Sequence, residues 1–242
     1  LFCAGLLVAA ATGRRLSVLP QAQPGYLKDI GAHAEALLID HGDAANLTLR
    51  DDDASFDADD HIDLDFFTSG STGAPKIVPK TLAHLEREIR FWEEQIGGHC
   101  DAMEATVSHQ HVYGMLFRIV WPVMAAWRSR DLAALAWEHL EGALGSRVAL
   151  ASSPAHLTRL PPSFALKEGP PAFIFSSGQM LPWEAARDAT ALFGVAPTEI
   201  LGSTETGGVA FRLRTAENVP WTPLGGVSVS VEADGALMVA WP

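Results

Sequence analysis

Short apolar runs that break off in Ser or Gly recur along this chain, and most are joined by stretches of helical periodicity. Strand-like runs lie at "HIDLDFF", "RVALASS", "PAFIFSSG" and "TEILGSTETGG". In the first, Ile62, Leu64 and Phe66 alternate with polar residues, which is the period of a strand. In "TLAHLEREIRFWEEQIGG", Leu85, Ile89, Trp92 and Ile96 share one helical face, Glu86 and Arg90 stand at i,i+4, and Gly97-Gly98 stop the helix. "RDLAALAWEHLEGALG" and "PWEAARDATALFG" read as further helices, and "ATVSHQHVYGMLF" as a strand running into a glycine turn. The opening "LFCAGLLVAAATGRR" reads as a buried helix that ends at Gly13 and feeds a strand at "LSVLP". "VSVSVEADGALMVAWP" reads as an alternating hairpin turned by Asp234-Gly235. Strands alternating with helices, with antiparallel β at the end, predict an α/β fold.

Composition narrows the function classes. Of 242 residues 48% are hydrophobic and 19% charged, enough to build a sizeable core in one large domain or two small ones. A net charge of -12, with no cluster of Lys and Arg, argues against a nucleic-acid partner. Two cysteines, Cys3 and Cys100, make neither a disulfide framework nor a thiolate metal site and suggest a cytoplasmic protein. The apolar opening is too short to cross a bilayer, and its arginines follow the apolar run, where a secretory signal would place them before it. No stable membrane insertion is expected. The Asp-rich run over 40–65 reads as a solvated linker, since Asp51-Asp52-Asp53 lacks the interleaved Gly and terminal Glu of a calcium loop. It marks one candidate subdivision of the chain, and the β region over 207–242 another. The start without Met and the end at "MVAWP" look like a piece of a longer protein.

The "HIDLDFF" strand runs into "TSGSTGAPK", Thr68 to Lys76. Glycines let backbone N–H groups converge on oxygens, hydroxyls add donors, and Lys76 adds a point charge. The stretch is no Walker A loop, because Pro75 stands where the second glycine belongs. It is no nucleophile elbow either, because Ser69 stands where that motif needs a glycine before Ser71. Composition alone leaves a plain turn and a phosphate loop equally open. Farther on, "SHQHVYGM" carries His109 and His111, an H-x-H pattern that on a strand would face one side, with no further zinc ligand nearby.

The string "TSGSTGAPK" on a strand exit closely resembles the signature loop of the adenylate-forming superfamily, which includes acyl- and aryl-CoA synthetases. "LGSTETGG", Leu201 to Gly208, resembles that family's second nucleotide motif. "SSGQMLP" resembles its adenine-contacting segment, "SHQHVYGM" its acyl-pocket segment, and "DGALMVAWP" the hairpin closing its large N-terminal domain. The resemblance implies layered mixed sheets with flanking helices and a C-terminal β-hairpin region. The chain would be a partial N-terminal adenylation domain over 1–242, without the small C-terminal domain.

It also implies a reaction: a carboxylate attacks the α-phosphate of ATP, pyrophosphate leaves, and a thiol of coenzyme A or an acyl carrier protein takes the acyl group. Thr68, Ser69, Gly70, Ser71, Thr72, Gly73 and Lys76 would grip the β- and γ-phosphates. Thr204 would meet the α-phosphate and Glu205 would ligate Mg2+. Ser177, Gly178 and Gln179 would border adenine, beside Leu201, Gly202 and Ser203; Leu201 stands where the family usually stacks an aromatic ring. His111, Tyr113 and Gly114 would face the acid, with His111 gating. The family's ribose-binding Asp, hinge and catalytic lysine lie beyond this chain, so weak turnover is expected of it alone. "VSHQHVYGMLFRIVWP", "SSPAHLTRLP" and "EILGSTETGGVAFR" look similar to a bacterial subgroup linked to aryl-polyene or xanthomonadin-type pigments, which loads hydroxybenzoate-like acids onto a carrier protein. A fatty acid ligase and a non-catalytic nucleotide-binding module are the alternatives.

Overall fold

The computed structural model describes residues 5, 6, 9, 12–19, 62–69, 75–130 and 132–241. They fall in two compact units, 1–85 and 86–242. In the first, Gly5, Leu6, Ala9 and Thr12 are helical, and Gly13 ends the helix at φ +61, as the sequence predicts. Strands β1 (Leu16–Val18), β2 (Asp63–Ser69) and β3 (Pro75–Thr81) form a sheet in that order. β1 runs parallel to β2 and β3 antiparallel to it, with Thr68 opposite Lys76. Ile62, Leu64 and Phe66 are buried, as their alternation requires, while Arg15 bridges Asp63 and Asp65 at 3.0 and 2.8 Å. Most of the acidic run, 40–61, lies outside the described residues.

The second unit is built on a seven-stranded sheet. Its strands are β4 (Ala102–Ala105), β5 (Arg128–Ser129), β6 (Val148–Ser152), β7 (Phe173–Ser176), β8 (Thr198–Ser203), β9 (Gly207–Leu213) and β10 (Thr222–Pro223), in the order β10-β9-β8-β7-β6-β4-β5. From β5 to β8 the pairing is parallel; β9 and β10 join antiparallel. Every residue of β6 is buried, because both faces of the sheet are covered. On one face Val148, Leu150 and Ile174 pack with Trp137, Phe164 and Phe193. On the other, Phe175 meets Trp92 and Phe117 at ring distances of 5.3 and 4.9 Å. Helix α1 (Leu82–Ile96) starts in the first unit; its part from Glu86 on presents Ile89 and Trp92 to the interior of the second, and its Arg90 reaches Glu86 at 3.9 Å. Strands β11 (Ser228–Val231) and β12 (Leu237–Ala240) make the expected hairpin, with Gly235 at φ +86.

Two expected elements differ. The strand expected to run through "SHQHVYGM" stops at Ala105; residues 106–111 form a loop and residues 112–124 a helix, α2. Its middle, Leu116–Val120, is a π-turn. Pro122 has no N–H to give the carbonyl of Arg118 four residues back, and that carbonyl instead accepts a hydrogen bond from the Ser129 hydroxyl at 3.1 Å. The helix expected over "RDLAALAWEHLEGALG" shrinks to a 3₁₀ turn, Trp137–Leu140. Its buried residues Trp137 and Leu140 stand three apart, which fits three residues per turn. The helix over "PWEAARDATALFG" forms as expected: α4 (Trp183–Phe193) follows the single-turn α3 (Pro154–Leu157) and ends at Gly194, φ +70.

Leu150→Ala, on the doubly buried strand β6, should lower unfolding free energy by about 2–5 kcal/mol in urea titration, whereas Leu135→Ala on the surface should change it by less than about 0.5 kcal/mol. Equal effects would contradict the burial described. Burial also pushes the Cys100 thiol up to about 11. The stability this contributes is complete below the unfolded thiol's value, about 8.5, and is lost as pH rises through the folded one. At pH 8, alkylation of Cys100 followed by mass spectrometry should therefore be much slower in the native protein than in the unfolded chain.

Candidate nucleotide site

The parallel strands of the second unit end at one edge of the sheet, the edge where open α/β sheets take ligands. After β7, Ser177 donates its hydroxyl to the carbonyl of Ile200 on β8 at 3.0 Å. Gly178 follows at φ +93, a left-handed turn that favours glycine, and Gln179 and Met180 are exposed. Leu181 closes the loop: its N–H donates to Glu199 at 2.7 Å and its carbonyl accepts from Arg214 at 3.3 Å. The 177–180 loop is thus held at both ends, against the strand that carries Leu201, Gly202 and Ser203.

At the tip of the β8–β9 hairpin the register slips between Leu201 and Gly202. A Cβ on Gly202 would stand 2.4 Å from the carbonyl oxygen of Gly207, so the strands approach here closer than a side chain permits. Ser203 and Thr206 lock the turn: each backbone N–H donates to the other's hydroxyl at 3.1 Å. Trp241 donates its indole N–H to the Thr206 carbonyl at 3.0 Å. Thr204 is half-buried, and Glu205 and Leu201 are exposed. The Ser/Thr/Gly content of the motif builds this turn and leaves Glu205 at its tip.

After β4, the 108–111 loop folds onto α2. Gly114 makes this fit, since its Cβ would meet the Ser108 carbonyl. His111 is exposed at the start of α2. His109 turns instead to the buried Arg118, whose guanidinium donates to its Nδ1 at 3.2 Å. The Tyr113 ring lies 4.9 Å from that of Phe117, and burial pushes its phenol pKa up. In the first unit, Thr68 and Ser69 are the last two residues of β2, and Lys76 is exposed on β3. Gly70, Ser71, Thr72 and Gly73 lie outside the described residues.

Motif reading missed the buried charges that hold these loops. Glu199, 1% exposed, ion-pairs with Arg212 at 2.7 Å and lies 3.5 Å from Arg214. Arg212 also stacks over Trp221 at 4.2 Å. The sequence carried a signal: an acid inside the apolar "TEIL", and two arginines spaced to share one face of "FRLR". Glu88, on the apolar face of α1, accepts the Gly208 N–H at 2.8 Å. Among the described residues no three His, Cys, Asp or Glu side chains gather as a metal cage. An exposed Glu205 fits Mg2+ held by one carboxylate together with phosphate and water oxygens.

A family model described as AMP-binding enzyme matches residues 18–235. The chain belongs to the AMP-binding enzyme family. No curated protein matches it significantly. Among solved structures, a benzoate CoA ligase from Burkholderia xenovorans LB400 is similar at 16% identity and a TM-score of 0.62, over 78% of this chain and 42% of that one. The anthranilate CoA ligase AuaEII, in complex with anthranoyl-AMP, is similar at 16% identity and a TM-score of 0.61, over 75% and 39%. ATP-bound MatB from Rhodopseudomonas palustris is similar at 20% identity and a TM-score of 0.58, over 75% and 38%. These likenesses show the fold, that of the large N-terminal domain of adenylate-forming enzymes. The chain spans less than half the length of these three structures. Among the described residues, no helix of this AMP-binding enzyme is long and apolar enough to cross a membrane.

Glu199→Ala would leave the buried Arg214, the partly buried Arg212 and the Leu181 amide without their carboxylate. It should cost about 3–5 kcal/mol of unfolding free energy in denaturant titration. A cost below about 1 kcal/mol would show that the cluster does not hold the 177–181 loop.

Proposed function

We propose that this chain is the ATP-handling part of an acid–thiol ligase that works in the cytoplasm. The observation that carries this reading is the β8–β9 turn, which presents Thr204 and Glu205 beside the braced 177–180 loop at the carboxyl edge of a parallel sheet. Adenine would lie along Ser177, Gly178 and Gln179, against the exposed Leu201 and the backbone of Gly202 and Ser203. Thr204 would donate to the α-phosphate. Thr68 to Gly73, with Lys76, would grip the departing pyrophosphate. Mg2+, held by Glu205, would neutralise phosphate charge when bound.

An oxygen of the substrate carboxylate bonds to the α-phosphorus, and the bond to the bridging oxygen of pyrophosphate breaks. A thiolate sulfur then attacks the acyl carbon and AMP leaves. The reaction brings anion to anion, so positioning and charge neutralisation are what the residues supply. The acid would face His111, Tyr113 and Gly114. An aryl acid such as a hydroxybenzoate is the favoured substrate, supported by the Tyr113–Phe117 aromatic contact and by likeness to benzoate and anthranilate ligases. The acceptor would be coenzyme A or an acyl carrier protein.

ATP–pyrophosphate exchange by the full-length protein, run against a panel of aryl and fatty acids, tests this. Hydroxybenzoates should support exchange and long-chain acids should not. Lys76→Ala and Glu205→Ala should each lower exchange by about 10²–10³-fold. If neither does, the phosphate and metal assignments are wrong.

A further inference from the structure

We propose that Glu88, which lies outside every motif, is a positioning residue for the nucleotide: it fixes the Ser203–Gly208 turn and, through it, Thr204 and Glu205. This rests on the reading of that turn as the ATP site. Glu88 is only 4% exposed and shares its helical face with Leu85, Ile89 and Trp92. A carboxylate in such a place is costly unless its oxygens are engaged. Oε2 accepts the backbone N–H of Gly208 at 2.8 Å, across 120 residues of sequence.

The glycines of "TETGG" make that approach possible. A Cβ on Gly208 would lie 2.5 Å from Oε1 of Glu88, and one on Gly207 would lie 3.1 Å from Oε2. Gly207 also sits at φ +70, and its carbonyl presses on Gly202 of the opposite strand. Backbone thus packs directly between the Glu88 carboxylate and strand β8, with no side chain to act as a cushion. Trp241 pins Thr206 separately. A shift of Glu88 therefore moves the turn itself. Glu88 acts through the Gly208 amide and not by contact with the nucleotide.

Calorimetric titration of Mg-ATP into the intact chain, with the melting temperature of each variant recorded, tests the assignment. Glu88→Ala and Gly208→Ala should each weaken binding by about tenfold, and Glu88→Gln, which still accepts from Gly208, should stay within about threefold. The double variant Glu88→Ala/Gly208→Ala should bind no worse than Glu88→Ala, because the new methyl then has room. A packing role alone would lower the melting temperature and leave affinity unchanged, and that result would overturn the proposal. So would strictly additive losses in the double variant. If Glu88→Ala does not fold, loss in Gly208→Ala with retention in Glu88→Gln supports the assignment, and retention in both overturns it. Binding kept in Glu88→Ala but lost in Glu205→Ala would overturn the Glu88 role alone. A folded wild-type chain that takes up no Mg-ATP would overturn the ATP reading as well.

Discussion

Burial of strand β6 on both faces is the constraint from which the second unit follows. Val148 and Leu150 pack to one side, Ala149 and Ala151 to the other, and every one is enclosed. Such a strand has no solvent face, and its neighbours β4 and β7 pair with it in parallel, an arrangement whose crossover connections cover both faces of a sheet. Their connections then emerge together at the carboxyl edge. The polar chain ends there: Ser152 beside Thr106 at 2.9 Å, Ser177 on Ile200, and the hydroxyl-locked turn after Ser203. The apolar sheet and the polar edge are two consequences of one packing arrangement.

The edge owes its shape to buried acids as much as to glycine. Glu199 grips the loop after β7, Arg212 of β9 and Arg214 just past it, while Glu88 grips the far side of the β8–β9 turn. Both carboxylates bond backbone amides, so both set main-chain position. This bears on the net charge of -12. An acidic protein can hold an anion when its acids are spent on internal structure and amides and hydroxyls face the ligand.

Much of this was legible in the sequence. Local periodicity sufficed for α1, β6, β7 and α4, since each pattern is satisfied by burial on one face or two, and the final hairpin followed from its Asp234-Gly235 turn although its strands are almost wholly exposed. The motifs "TSGSTGAPK" and "LGSTETGG" pointed to the family, which residues 18–235 match. What stayed hidden was set by non-local partners. The π-turn over Leu116–Val120 depends on a carbonyl released by Pro122 and taken by Ser129. The turn at Trp137–Leu140 follows a three-residue spacing that is easily read as helical. Glu88 meets Gly208 only once the chain has folded, and no local window holds both residues.

Amide hydrogen exchange of the chain with and without Mg-ATP tests the central claim most directly, because it reads the site without requiring turnover. Added Mg-ATP should slow exchange in the Ser203–Gly208 turn and across 177–181, and leave the β11–β12 hairpin unchanged. Protection elsewhere, with none at the turn, would contradict the placement of the nucleotide at this edge.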